Sequence, residues 1–320
     1  MPPNDDDATM RLPPPRTQAS GSVARRGVGL AVLGGGAALA AAVGGGLWLW
    51  RGVETAAPML PATVADASAP APPLLDMEGI AAHRAVEPTA LRWSANPLVW
   101  VLDFPSLETQ GAAMNRVAAL IEKAGAPRDR VLDDAELAAA IAADRRTAAN
   151  WYFGHNYRAG DVLRMFALAE RQGIRLTPPE LWLRAQVELS QRVDRGREAA
   201  ILTIPGLGPQ IDAQLRRTIL RHELGHGQFF TLPFFAAHVM RVWEGGFTAA
   251  ERADMRRFLA ADGYDTAQEE MMANEAMAYL LYTPDRRFFN PARDLGWSDA
   301  QAERLRVLLR TQAPEAPGAP

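Results

Sequence analysis

Apolar and polar residues are distributed along this chain in several distinct ways, and each predicts a different kind of element. Residues 27–50 carry no charge and end in Leu47-Trp48-Leu49-Trp50, followed by Arg51. Such a run is long enough to span a bilayer, with the tryptophans at an interface. Leu98–Phe104 and Ala200–Ile204 are continuous apolar runs that read as buried strands, the second ended by Pro205-Gly206-Leu207-Gly208-Pro209. Helical periodicity predicts helices near 107–124, from Asp133 onward, and over 159–173, 178–192, 210–228, 248–261, 266–282 and 298–311. Pro178-Pro179 opens one of them. Three segments lack periodicity. Residues 1–26 are rich in Pro, Asp and Ser and read as a disordered tail, residues 51–76 as an Ala/Pro-rich linker, and residues 313–320 as a free tail. The pattern therefore predicts an α+β, predominantly helical domain over 77–312 with a small sheet, preceded by one transmembrane helix.

The helix predicted over 210–228 is the most informative. Ile211, Leu215 and Ile219 recur every four residues, His222 follows three residues later, and His226 four beyond that. The apolar stripe runs straight into two histidines. Between them stands Glu223, giving His222-Glu223-Leu224-Gly225-His226, an HExxH motif in a chain with only five histidines. Residues four apart share one face of a helix, so both imidazoles can point at one spot. Two neutral histidines held this way are ready zinc ligands, and the glutamate beside the first can activate a metal-bound water. The plainer reading is two polar residues on an ordinary helix. Histidines on a core-facing stripe nevertheless need partners, which a metal ion supplies.

Composition narrows the setting. A formal charge of −3 leaves no basic footprint for nucleic acid. The absence of cysteine excludes disulfides, thiolate ligands and a cysteine nucleophile. Arg11, Arg16, Arg25 and Arg26 precede the apolar run, so the positive-inside rule keeps the N-terminus in the cytoplasm and exports everything after Arg51. The expected location is a bacterial-type inner membrane, single-pass, with the domain on the periplasmic side. A cleaved signal peptide is the rival, Ala56-Ala57 lying nearby, but the run exceeds the usual signal core. Gln214, Arg216, Arg217 and Arg221 make the motif helix unsuited to the membrane interior.

A catalytic zinc commonly has three protein ligands plus water. The HExxHxxGxxH extension is absent, since Phe229 and Leu232 occupy its glycine and third-histidine positions. Glu275, in Asn274-Glu275-Ala276-Met277-Ala278-Tyr279, is the best candidate; Glu270, Glu269, Asp265 and His238 are rivals. Here the chain resembles the gluzincin branch of the zincin metallopeptidases, in which a downstream helix supplies a glutamate, over the two short stretches 222–226 and 274–278. The resemblance implies zinc at His222, His226 and Glu275, Glu223 as general base, and a protein or peptide substrate. It also implies that strand 200–204 is an edge strand pairing with substrate, against the plainer reading of an internal strand. Many gluzincins carry an aspartate where this chain has Tyr279, so the acceptor orienting a zinc histidine must come from elsewhere, such as Asn274 or a backbone carbonyl. Tyr279, His238 and Tyr264 are candidate oxyanion donors, Tyr279 being equally readable as core packing. The competing readings are a metal-binding envelope protein that cuts nothing and a zinc hydrolase of another amide or ester.

Two aromatic clusters stay open. Trp151–Tyr157, with His155 at its centre, reads as a partly buried loop or a pocket lining. Phe229–Phe235 reads as core, cleft wall or a lipid-docking surface, and is too short to cross a membrane.

Overall fold

The computed structural model describes residues 70–314, which belong to one compact unit of the chain. β1 (Leu74–Leu75), α1 (Met77–Ala82), β2 (Thr89–Trp93) and β3 (Val99–Phe104) come first, then α2 (Leu107–Ile121) and α3 (Asp134–Ala143). β4 (His155–Arg158), α4 (Ala159–Gln172), α5 (Pro178–Val193) and β5 (Ala200–Pro205) follow. The remainder is helical: α6 (Ala213–Thr231), α7 (Pro233–Arg241), α8 (Ala249–Ala261), α9 (Glu269–Met277), α10 (Pro291–Asp294) and α11 (Asp299–Arg310). π-helical turns, Val242–Gly246 and Ala278–Tyr282, prolong α7 and α9. The fold is α+β and mostly helical, around a small mixed sheet. Among the described residues no helix is long and apolar enough to cross a membrane, and the predicted anchor 27–50 lies outside them.

The sheet runs β1-β2-β3-β5-β4, with β3 and β5 parallel at its centre. Both central strands are buried on two faces, which is why each reads as an apolar run broken by a single polar residue, Asp103 in β3 and Thr203 in β5. Trp100, Leu102, Phe104 and Ile201 pack with α2, α4 and α5; Val99, Val101, Leu202 and Ile204 pack with α1 and α6. A separate core joins the C-terminal end of α6 to α7, α8, α9 and α11. Helix starts are set locally: Ser106, Asp133, Thr177, Thr248 and Ser298 each form a reciprocal capping box.

Three expectations change. The strand 200–204 is not an edge strand, because β5 is flanked by β3 and β4. The edge is β4, inside the segment read as a loop; its four residues are too short for a period-two signal. The helix predicted over 266–282 is an α-helix only as far as Met277 and then widens into a π-helical turn. Of the Phe229–Phe235 segment, Phe229 and Phe235 are core while Phe234 is exposed.

Candidate metal centre

α6 is held against the sheet by Leu215, Ile219, Leu220 and Leu224, and Asp212 caps its first turn through the Leu215 amide. With that apolar stripe fixed, His222 and His226 turn toward α9, where Glu275 meets them. His222 Nε2 and His226 Nε2 are 3.0 Å apart, and Glu275 Oε2 is 3.7 Å from each. All three residues are buried, and Glu275 Oε2 has no hydrogen-bond partner. A point equidistant from the three atoms lies about 2.0 Å from each, the bond length of a small divalent ion to imidazole and carboxylate. These three residues form a group that can hold a metal ion.

The surroundings set the protonation the chemistry needs. Thr283 Oγ1 donates its hydrogen to the Ala278 carbonyl at 2.9 Å, so at 2.8 Å it accepts from His222 Nδ1–H. That tautomer leaves the His222 Nε2 lone pair facing His226 and Glu275. Asn274 lies beside His226 and favours its protonated form, although His226 Nδ1 completes no hydrogen bond of good geometry. Burial nevertheless dominates and lowers His226 to about 4. His222 falls well below the usual imidazole range through burial, with His226 adding to the effect. Both rings are therefore neutral at pH 7. Burial pushes Glu275 well above the usual carboxylate range, reinforced by Glu122, Glu223 and Asp262. Two neutral imidazoles and a carboxyl with no protein counter-ion make a donor set that could hold a cation.

Glu223 occupies the other flank of α6. Asn156 of β4 donates to its Oε2 at 3.1 Å, and burial raises it to about 8 against that hydrogen bond. Its carboxylate also rests on Gly154, where a Cβ would overlap Oε1 and push the carboxylate aside. Gly225 is fixed in the same way by the Tyr282 ring. A cavity of about 330 Å³ opens beside Glu275, between β4, the end of α2 and the start of α9.

No protein-family model, no curated protein and no solved structure matches the chain. The site therefore stands on its own geometry.

The rival third ligands are all engaged elsewhere. Glu270 pairs with Arg158 at 2.6 Å, Glu269 accepts from Trp243 at 2.8 Å, and Asp265 pairs with Arg128 at 2.9 Å. His238 bonds the Leu308 carbonyl at 3.0 Å, which removes it both as ligand and as oxyanion donor. Tyr279 does reach the centre, but by ring packing: it meets His222 edge-on at 4.8 Å and is walled by Phe258 and Phe289. Tyr264 lies close enough to Glu275 for that carboxyl to help raise its phenol above the ordinary range, after burial. His155 is buried, its Nδ1 on Thr203 at 3.0 Å and its Nε2 without a partner. Thr283 and Asn156 are the positions that sequence reasoning missed. Each acts over a separation of more than sixty residues, and neither belongs to a motif.

Proposed function

We propose that this protein is a zinc-dependent metallopeptidase of gluzincin type, with His222, His226 and Glu275 as ligands and Glu223 as general base. The observation that carries the reading is the convergence of two neutral imidazoles and an unpaired buried carboxylate, with a fourth side chain, Glu223, pinned beside them. The donor set of two nitrogens and one oxygen and its spacing suit zinc. When bound, zinc polarises a carbonyl and lowers the pKa of a water it holds.

The protein's own residues do the rest. Glu223 takes a proton from the attacking water and delivers it to the leaving amine. The Asn156 hydrogen bond orients its carboxylate in the space that Gly154 leaves open, which reduces the freedom to be lost on reaching the transition state. A carboxyl raised to about 8 in the metal-free protein is brought down by a neighbouring cation, into the range where it accepts and returns protons near neutrality. Tyr264 and Tyr279 are the hydroxyl-bearing side chains available to stabilise an oxyanion. Among the described residues β4 pairs with β5 on one side only, so its other edge can add an extended peptide, and Asn156 of that strand reaches Glu223. Tethering through residues 27–50, with the domain exported, completes the proposal and rests on the charge pattern of the sequence.

The test is to load the full chain with zinc and assay it on an unstructured protein substrate beside Glu223→Gln. The expected result is one zinc per chain in both, with turnover reduced by about 10²–10⁴-fold or more in the variant. Equal hydrolysis by both would remove Glu223 from its role. An unloaded wild type would end the metallopeptidase reading.

A further inference from the structure

Glu122, at the C-terminal end of α2, lines the cavity beside Glu275 and is 5% exposed. It forms no ion pair among the described residues, although Arg128 lies near enough to favour its charged form and Arg158 lines the same cavity. Each is committed to another carboxylate. Lys123 pairs with Asp144, Arg128 with Asp265 at 2.9 Å, and Arg158 with Glu270 at 2.6 Å while lying over the Phe230 ring. A second buried group lines the same cavity: the Tyr157 hydroxyl lies against the Glu122 carboxyl, favours its charged form and has no other partner. The rim adds Asp161 and Glu270, so the wall is acidic and its single arginine is neutralised in place.

A buried carboxylate is costly unless a charge partner or donor is supplied. Here the chain has directed its nearby cations elsewhere and left a cavity in front of the group. The cavity volume, about 330 Å³, is at the small end for a ligand site and suits one extended side chain. The apolar surface of Ile121, Phe230 and Met271 suits the methylene stem of that side chain, with the charge at the far end.

We propose that this cavity is a specificity subsite for a cationic group of the substrate, an ammonium or guanidinium that pairs with Glu122 and the Tyr157 hydroxyl. The assignment rests on the peptidase reading for its biological meaning, but the cation site can be tested without turnover. The group can belong to a lysine or arginine side chain or to a free N-terminus. Both present the same chemistry to Glu122.

The experiment is calorimetric titration of the full-length, zinc-loaded chain with n-butylammonium and n-butylguanidinium, with n-butanol as the neutral control. The expected result is binding of both cations, at least tenfold weaker in Glu122→Gln, with no preference for the alcohol in either protein. A wild type that binds the alcohol as well as the cations, or binds none of them, overturns the proposal. So does a Glu122→Gln protein that binds the cations unchanged. Should that variant fail to fold, Met271→Trp fills the cavity from its lining and must abolish cation binding; unchanged binding there overturns the assignment equally. Titration of an N-acetylated peptide with one lysine, beside a lysine-free peptide with a free amine, separates the two sources. Cation binding that depends on Glu122 in a protein that cuts no peptide would sink the peptidase reading and leave the subsite standing.

Discussion

One helix, α6, carries two buried polar clusters, and they are opposites. Near its N-terminal end Arg216, 1% exposed, reaches both oxygens of Asp103 at 2.9 Å. It also donates to the carbonyls of His83 at 3.0 Å and of Pro205, and His83 Nδ1 closes the far side of Asp103 at 2.7 Å. Six residues further along, His222, His226 and Glu275 are equally buried but face one another with a carboxylate oxygen unsatisfied. The first cluster is complete within the chain and fastens α6 to β3, to the end of β5 and to the segment after α1. The second is complete only when something else arrives. Burial of charge by itself says nothing about function; the state of satisfaction separates a structural clamp from a receptor.

The sharpest way to break this comparison is to remove one partner from each cluster. Asp103→Ala strands a buried guanidinium and should cost about 3–5 kcal/mol in chemical denaturation. His226→Gln in metal-free protein should cost far less, because it loses a contact between neutral rings and strands no buried charge. Equal losses would erase the distinction.

Zinc should then act on one cluster alone. At a free concentration a hundredfold above its dissociation constant it should stabilise the wild type by about 2.7 kcal/mol, read as a raised melting temperature that a chelator reverses. Glu275→Gln should lose most of that gain, while the Arg216 cluster neither gains nor loses.

Thr283→Val probes a finer point. Without an acceptor at Nδ1 the His222 ring is no longer held in the tautomer that directs Nε2 inward, and zinc affinity should fall by about 10–100-fold in competition with a chromogenic chelator. A change within twofold would show that Thr283 merely packs.

The last effect is spread over pH and concerns acid. His155 is lowered to about 3 by burial and His226 to about 4. An unfolded chain, with histidines near 6.5, therefore binds more protons than the folded one between these values. The stability due to neutral burial is intact above about pH 6.5 and is lost as pH falls, by up to about 1.4 kcal/mol per unit for each histidine. In metal-free protein the stability difference between wild type and His155→Gln should shrink with that slope from pH 6.5 to 4. Parallel pH curves would show that His155 is not buried neutral.

The contrast also explains what the sequence disclosed. His222, Glu223 and His226 were legible because their geometry is local: helical periodicity alone brings two residues four apart onto one face. The central strands were legible because burial on both faces leaves an apolar run broken by a single polar residue. Glu275 could be chosen over Glu270 only through a family pattern, since nothing in the spacing shows that Glu270 pairs with Arg158 on β4. Thr283 gave no signal, being an ordinary threonine made an acceptor by a long-range approach. Arg216, one of the residues that make the motif helix unsuited to the membrane interior, is nonetheless among the most buried side chains of the described residues, held by an ion pair the sequence does not reveal. The strand that lines the cleft was missed because four residues hold too little pattern.

The π-helical turn at Ala278–Tyr282 has a consequence for how such a site arises and is lost. A π-helical turn is what an α-helix becomes on gaining one residue. Removing a single residue there would restore ordinary winding and change how the turn presents Tyr279, Tyr282 and the following Thr283. The widened turn thus holds the motif from two sides at once, Tyr279 against His222 and Tyr282 against Gly225, so one inserted or deleted residue there would disturb the candidate centre without altering any of its three donor residues.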